Sequence, residues 1–166
     1  IVVSFLQPFV SFCNDLGVKA VCEDALTMLE KQSDDSIGGI MMSHVVEHLE
    51  PNYIIKLIKV AFEKLEKGGC FVIQTPNPQA LFTYIDFYVD ITHVKPVHYS
   101  ALEFLFEMAG YERIERFNPP KTKFRDCVTQ LYEGKSHLNL VEFNYGMNNL
   151  NEYLTGYQDY AIVAYK

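Results

Sequence analysis

Residues 34–77 read DDSIGGIMMSHVVEHLEPNYIIKLIKVAFEKLEKGGCFVIQTPN. Ile37 to Met42 is apolar throughout, which suits a strand buried on both faces. Pro51 opens the clearest helical pattern in the chain. Ile54, Ile58, Ala61, Phe62 and Leu65 form its apolar stripe, with Lys56, Lys59, Glu63 and Glu66 outside. Gly68-Gly69 ends the helix, and Cys70 to Thr75 reads as a second strand, closed by Pro76-Asn77-Pro78. A strand, a helix and a strand in this order argue for parallel pairing.

The pattern continues in both directions. Upstream, Ile1 to Ser4 is a short β-branched run. Gln7-Pro8 starts a helix with Phe9, Phe12, Cys13 and Leu16 inward, and Gly17 stops it. Val18 to Cys22 is a strand, and Asp24 heads a helix to about Lys31 with Ala25, Met28 and Leu29 inward. Downstream, a helix runs from about Gln79 to Tyr88. Ser100-Ala101-Leu102-Glu103 is a capping box for a helix that ends at Gly110. Tyr111 to Phe117 and Tyr157 to Tyr165 read as strands, and residues 118–155 between them have weak periodicity. Such alternation predicts a mostly parallel sheet with helices on both faces. Ligands of such sheets bind at the carboxyl ends of the strands. That singles out Glu23-Asp24, Ser43-His44, Thr75 to Asn77 and the loop before Ser100.

The 166 residues fit one domain, and 49% hydrophobic with 21% charged residues is a globular balance. No apolar run approaches the roughly 20 residues of a membrane span. A net charge of −7 disfavours a nucleic-acid partner. The basic cluster Lys121, Lys123 and Arg125 reads as a solvated loop. The cysteines form no C-x-x-C pair. Cys13, Cys22 and Cys70 read as buried thiols of a reducing compartment, which points to the cytoplasm.

Four pieces in order carry a family resemblance. Asp34 to Leu49 resembles the fourth-strand motif of class I S-adenosylmethionine-dependent methyltransferases. Leu65-Glu66-Lys67-Gly68-Gly69, followed by Phe71 to Thr75 and Pro76-Asn77, is similar to that family's next run. Thr92 to His98, then a helix and Gly110-Tyr111, resembles a later segment of the subgroup that methylates surface sugars and small molecules. The resemblance covers about residues 9–117 and implies a Rossmann-like three-layer α/β sandwich with an antiparallel last strand. It implies S-adenosylmethionine as cofactor and a small-molecule or glycan hydroxyl, or a similar group, as methyl acceptor. It treats residues 1–166 as a single, partial domain with an acceptor-side insertion at 118–155.

Site residues follow from the same resemblance. Asp24 matches the acid that accepts from the adenine amino group, and the Ala25 N–H meets the ring. On its own residues Asp24 is equally a helix N-cap. Ser43 and His44 match the segment beside the methionine part of the cofactor. A hydroxyl acceptor needs a base near neutrality, so His48, His93 and His98 are the candidate catalytic residues. Tyr84, Tyr88 and Tyr99 are candidates to line the acceptor pocket.

Two family features are missing. No G-x-G loop occurs, and Ser4 stands where the ribose-binding acid is expected. Ile1 then falls in the family's second strand, so the resemblance implies a lost first strand from mid-sheet and weak or no cofactor binding by this chain alone. Two rival readings remain. One is a degenerate methyltransferase-like domain kept for binding a partner. The other is zinc hydrolysis through His44-Val45-Val46-Glu47-His48, an H-x-x-E-H motif. Pro51 argues against the single helix that motif needs, and no metal is assigned from the sequence.

Overall fold

The computed structural model describes residues 1–118 and 140–166. Lys121, Lys123, Arg125 and Cys127 lie outside the described residues. The strands are β1 (Val2–Ser4), β2 (Ala20–Cys22), β3 (Ile37–Ser43), β4 (Leu65–Pro76), β5 (Arg113–Phe117) and β6 (Asp159–Tyr165). The helices are α1 (Gln7–Asp15), α2 (Ala25–Glu30), α3 (Pro51–Lys64), α4 (Leu81–Phe87), α5 (Tyr99–Ala109) and α6 (Leu140–Thr155). A 3-10 turn occupies Val46–His48.

β3, β4, β6 and β5 form one sheet in that order. β3 and β4 are parallel, with Met42 opposite Ile73, and β6 runs antiparallel to both β4 and β5. This is the α/β architecture predicted, with its antiparallel last strand. β1 and β2 pair in parallel as a separate two-stranded sheet.

The core follows from the register. Phe71 faces Ala164, Ile73 faces Ile162 and Thr75 faces Tyr160 across β4 and β6. All six are buried, so one face of the sheet is continuous. It packs on Ile54, Leu57, Ile58 and Ala61 of α3 and on Leu102 and Phe106 of α5. The Phe106 ring meets Phe71 and Tyr111 edge-on at 5.6 and 4.9 Å. Leu26 and Leu29 join the same core and anchor α2 beside α3. The buried Tyr160 hydroxyl is satisfied by donating to the Val97 carbonyl at 2.8 Å.

Several local expectations are corrected. β3 is an edge strand, and only Met42 of its seven residues is buried. No described strand pairs with its free side, and Met41 is exposed. In α1 the inward residues are Val10 and Cys13, whereas Phe9, Phe12 and Leu16 are exposed. In α2 the buried residues are Leu26 and Leu29, not Ala25 and Met28. α3 ends at Lys64 and β4 begins at Leu65, because Leu65 pairs with Ile37 before a bulge. Gly69 sits in that bulge, where a Cβ would stand 2.9 Å from the Glu66 carbonyl oxygen.

The capping box at Ser100 does not form. α5 starts at Tyr99, and the His98 ring caps it by accepting from the Ser100 N–H at 3.2 Å. Of the cysteines read as buried, Cys13 is, Cys70 is half-buried and Cys22 is exposed at the end of β2. α6 occupies part of the stretch that showed weak periodicity. Among the described residues no helix is long and apolar enough to cross a membrane.

Candidate functional site

Asp24 follows β2 and caps α2. Its Oδ1 accepts from the Thr27 N–H at 2.8 Å and from the Thr27 hydroxyl at 3.0 Å. Its Oδ2 accepts from the Tyr53 hydroxyl at 2.5 Å, and that oxygen in turn accepts from the Leu26 N–H at 3.1 Å. Burial pushes the Asp24 carboxyl up, but the hydrogen bonds from Tyr53 and Thr27 outweigh it and hold the group below its usual range. Burial and the Asp24 hydrogen bond push the Tyr53 hydroxyl up to about 12, so it stays a donor. A carboxylate has about four acceptor sites. Three are used here, and the side chain is only partly buried, so Oδ2 keeps capacity for one more donor. That fits an adenine amino group. Ala25, next to it, is half-buried at the start of α2.

β3 ends at Ser43, which is exposed. His44 then turns the chain in left-handed backbone, φ 51°, and its N–H donates to the Gln74 carbonyl at 2.9 Å. Such a φ is uncommon outside glycine and marks a forced turn. Ser4, at the matching end of β1, accepts from the Leu6 N–H at 3.2 Å. It closes a local turn and offers no carboxylate.

Beyond the turn lies a cluster that sequence reasoning did not assemble. Glu47 is 1% exposed. Its Oε2 accepts from the Thr75 hydroxyl at 2.9 Å, and its carbonyl accepts from the Val94 N–H at 2.8 Å. Its Oε1 is buried and has no hydrogen-bond partner among the described residues. His44 Nδ1 lies 3.4 Å from that Oε1, and His44 Nε2 lies 3.6 Å from an Asp159 carboxylate oxygen. The His48 and His93 rings stand 4.6 Å apart, and His93 also stacks on Phe87 at 4.3 Å. Val94 is tied to Glu47, so the 92–95 segment is drawn over the 3-10 turn. The sequence raised Glu47 only within the H-x-x-E-H motif, not as part of this cluster. The signal available was its place just after Val45-Val46, between the end of β3 and the start of α3, where a buried carboxylate needs partners. For Asp159 and Tyr53 the sequence held no local signal.

The tautomers of both rings follow from their partners. His93 Nδ1 lies 2.6 Å from the Phe87 carbonyl, so it carries the proton and donates. The Thr92 hydroxyl donates to Asp90 at 2.6 Å and lies 2.9 Å from His48 Nδ1. With its hydrogen spent on Asp90, Thr92 accepts from His48 Nδ1–H. Hydrogen bonds from the Thr92 hydroxyl and N–H hold Asp90 below the usual carboxylate range, so it remains the acceptor. Nε2 is therefore the basic nitrogen of each ring.

A cavity of about 250 Å³ lies against this cluster, lined by His44, Asp86, Phe87, His93, Gln158 and Asp159 among others. A second hollow of about 680 Å³ is lined by Gln79, Tyr84, His98, Asn149 and Tyr153 among others. The structure thus brings His48 and His93 together and places His98 in another hollow. Of the tyrosines, Tyr84 lines that hollow, Tyr88 is exposed, and Tyr99 lies under the Arg116 guanidinium at 4.2 Å. The H-x-x-E-H motif does not lie on one helix, since His44 is in a left-handed turn and only Val46–His48 is helical.

No protein-family model matches the chain, and no curated protein does. Solved structures do. An S-adenosylmethionine-dependent methyltransferase from Archaeoglobus fulgidus is 32% identical, with a TM-score of 0.91 over 99% of this chain and 74% of that one. A possible histamine N-methyltransferase from Thermotoga maritima shares the fold at 14% identity, TM-score 0.64, over 99% of this chain and 72% of that one. A phosphoethanolamine N-methyltransferase from Haemonchus contortus, solved with S-adenosylhomocysteine, is 18% identical with a TM-score of 0.57, over 96% of this chain and 39% of that one. With the strand-end geometry and the identity to the Archaeoglobus structure in agreement, the chain belongs to the S-adenosylmethionine-dependent methyltransferases.

Proposed function

We propose that the chain carries the adenine side and the acceptor side of a methyl-transfer site, and that the acceptor is a hydroxyl or similar group of a small molecule or glycan. When bound, S-adenosylmethionine supplies a methyl group made electrophilic by the positive sulfur. Asp24 would hold the adenine amino group, with Ala25 against the ring, and Ser43 and His44 would flank the methionine part. The chain's remaining task is alignment of the acceptor and removal of its proton.

The observation that carries the acceptor reading is His93. It lines the smaller cavity with its proton fixed on Nδ1 by the Phe87 carbonyl, which leaves Nε2 basic. His48 is held in the same tautomer through Thr92 and Asp90. Asp86, Gln158 and Asp159 give the wall several hydrogen-bonding groups, and Phe87 gives it an aromatic face. That mixture suits a polyhydroxylated acceptor such as a sugar. His98 would act on the acceptor's far end, in the hollow it shares with α6. Residues 118–155 are read on the same grounds as an acceptor-side insertion, because Asn149 and Tyr153 line that hollow. A cytoplasmic site of action belongs to this reading and rests on the free thiols Cys13, Cys22 and Cys70.

Isothermal titration with S-adenosylmethionine, followed by turnover on a panel of sugars and small alcohols, tests the proposal. His93→Ala is expected to cut turnover at least about 100-fold while leaving cofactor affinity within about twofold. Wild-type turnover surviving His93→Ala would remove His93 from the chemistry. Cofactor affinity without turnover on any acceptor would favour the binding-domain reading.

A further inference from the structure

We propose that Glu47, His48 and His93 form a binding site for one divalent transition-metal ion at the wall of the acceptor cavity. One donor atom from each of the three lies within 4.8 Å of the other two. Ligand atoms at about 2.0–2.2 Å from zinc stand roughly 3–4 Å apart, so closing on an ion takes only small side-chain rotations.

Three features separate this cluster from a chance meeting of polar groups. First, Glu47 is buried and its Oε1 has no hydrogen-bond partner among the described residues, the nearest ring nitrogen being His44 Nδ1 at 3.4 Å on a half-exposed side chain. A buried carboxylate oxygen without a donor is costly, and a cation satisfies it. Second, both imidazoles are prepared as neutral ligands. His93 donates Nδ1–H to a backbone carbonyl, and His48 donates Nδ1–H to Thr92, which Asp90 polarises. This is how metal-bound histidines are held, with the outer nitrogen donating and the inner one turned to the metal. Third, the ligands are on separate elements that other bonds bring together. Glu47 O accepts from Val94 N–H, and Thr75 at the end of β4 fixes Glu47 Oε2.

Two imidazoles and one carboxylate select zinc, manganese, iron or cobalt over magnesium or calcium, which prefer all-oxygen sites. Three protein ligands leave coordination positions open, and His93 among them lines the cavity. An acceptor oxygen can occupy one. With an ion bound, Nε2 of each ring is a ligand and not a base, so this site takes the place of the free-base role of His48 and His93 within the same methyl-transfer reading. The arrangement is not the helical H-x-x-E-H site, since it uses His93 in place of His44.

Cobalt(II) titration of the purified chain, followed by visible absorption and by calorimetry, is the test. It needs neither cofactor nor acceptor, so its failure leaves methyl transfer standing, and a failure to bind S-adenosylmethionine leaves the metal site standing. One equivalent of cobalt with nitrogen–oxygen d–d bands and no thiolate charge-transfer band is expected. Glu47→Gln, which keeps the side-chain shape, and His93→Ala should each weaken binding at least about tenfold, and Thr92→Val by about tenfold through the outer shell. Cys22→Ser, which removes the exposed thiol, should leave affinity unchanged. Melting curves for each variant confirm that it is folded. The proposal is overturned by no stoichiometric binding, by binding that Cys22→Ser removes, or by folded Glu47→Gln and His93→Ala proteins that bind as wild type.

Discussion

Asp24 carries two assignments, a helix cap and a cofactor ligand, and paired substitutions separate them. Asp24→Ala removes the acceptor of the Thr27 N–H, a loss of about 1 kcal/mol for an N-cap. It also deprives the Tyr53 hydroxyl of a charged acceptor at 2.5 Å. Such a bond is worth about 1.5–3 kcal/mol when shielded, and on this partly exposed side chain roughly 1 kcal/mol is reasonable. The total is about 2 kcal/mol, which for a domain of this size lowers Tm by about 4–8 °C. Asp24→Asn keeps an equally good cap and an acceptor for Tyr53, and loses only the charge. Its Tm should fall by less than about 3 °C. Calorimetric or circular-dichroism melts resolve that difference.

The sign of the pH dependence is set by the same contacts. The folded carboxyl titrates below its ordinary value of 3.8, so its stabilisation is fully present above that pH. It is lost as pH falls through the lower, folded value. The gap between wild type and Asp24→Asn should therefore be constant at neutral pH and close in acid below about pH 4. Equal melting of Asp24→Ala and wild type would refute the cap and the Tyr53 bridge. A gap that persists undiminished into acid would refute the charge's part in them. In the cofactor arm, Asp24→Asn should weaken S-adenosylmethionine binding although the fold is intact, and unchanged affinity would leave Asp24 a cap alone.

Thr75→Val strips Glu47 Oε2 of its donor in a fully buried setting. A stability loss of about 1–3 kcal/mol is expected from urea titration, and an unchanged midpoint would show that Glu47 finds another partner. Phe106→Ala empties a position of zero exposure between Phe71 and Tyr111, and should cost about 3–5 kcal/mol by the same assay. A loss below 1 kcal/mol would mean that α5 does not complete the core.

The fold was legible where periodicity and punctuation agreed. Pro51 and the Ile54–Ile58–Ala61 stripe place the start and the buried face of α3, and Gly110, at φ 103°, ends α5 where expected. The site was legible only residue by residue. Asp24, Ser43 and His44 fall at strand ends, as the alternation predicts. Which distant side chains share a cavity depends on how loops fold back. The pairing of His93 with His48 across 45 positions rests on bonds between the two segments, Val94 and Lys95 N–H to Glu47 O and His48 Nδ1 to Thr92, that no local pattern encodes. His98 shows the converse. Its ring competes with Ser100 for the start of α5 and wins, because the helix begins one residue before the serine that the capping box would use.

β3 carries the most instructive error. Its Ile-Gly-Gly-Ile-Met-Met run has the composition of an interior strand, yet it lies at an edge with Met41 in solvent. Composition reports the surroundings for which a strand is suited, and register reports the neighbours it has. The disagreement falls between β1–β2 and β3–β4, where the two sheets part. An apolar edge without charge or proline is an adhesive surface. The exposed edge follows from register and not from composition: the backbone donors and acceptors on the side of β3 away from β4 pair with no described strand.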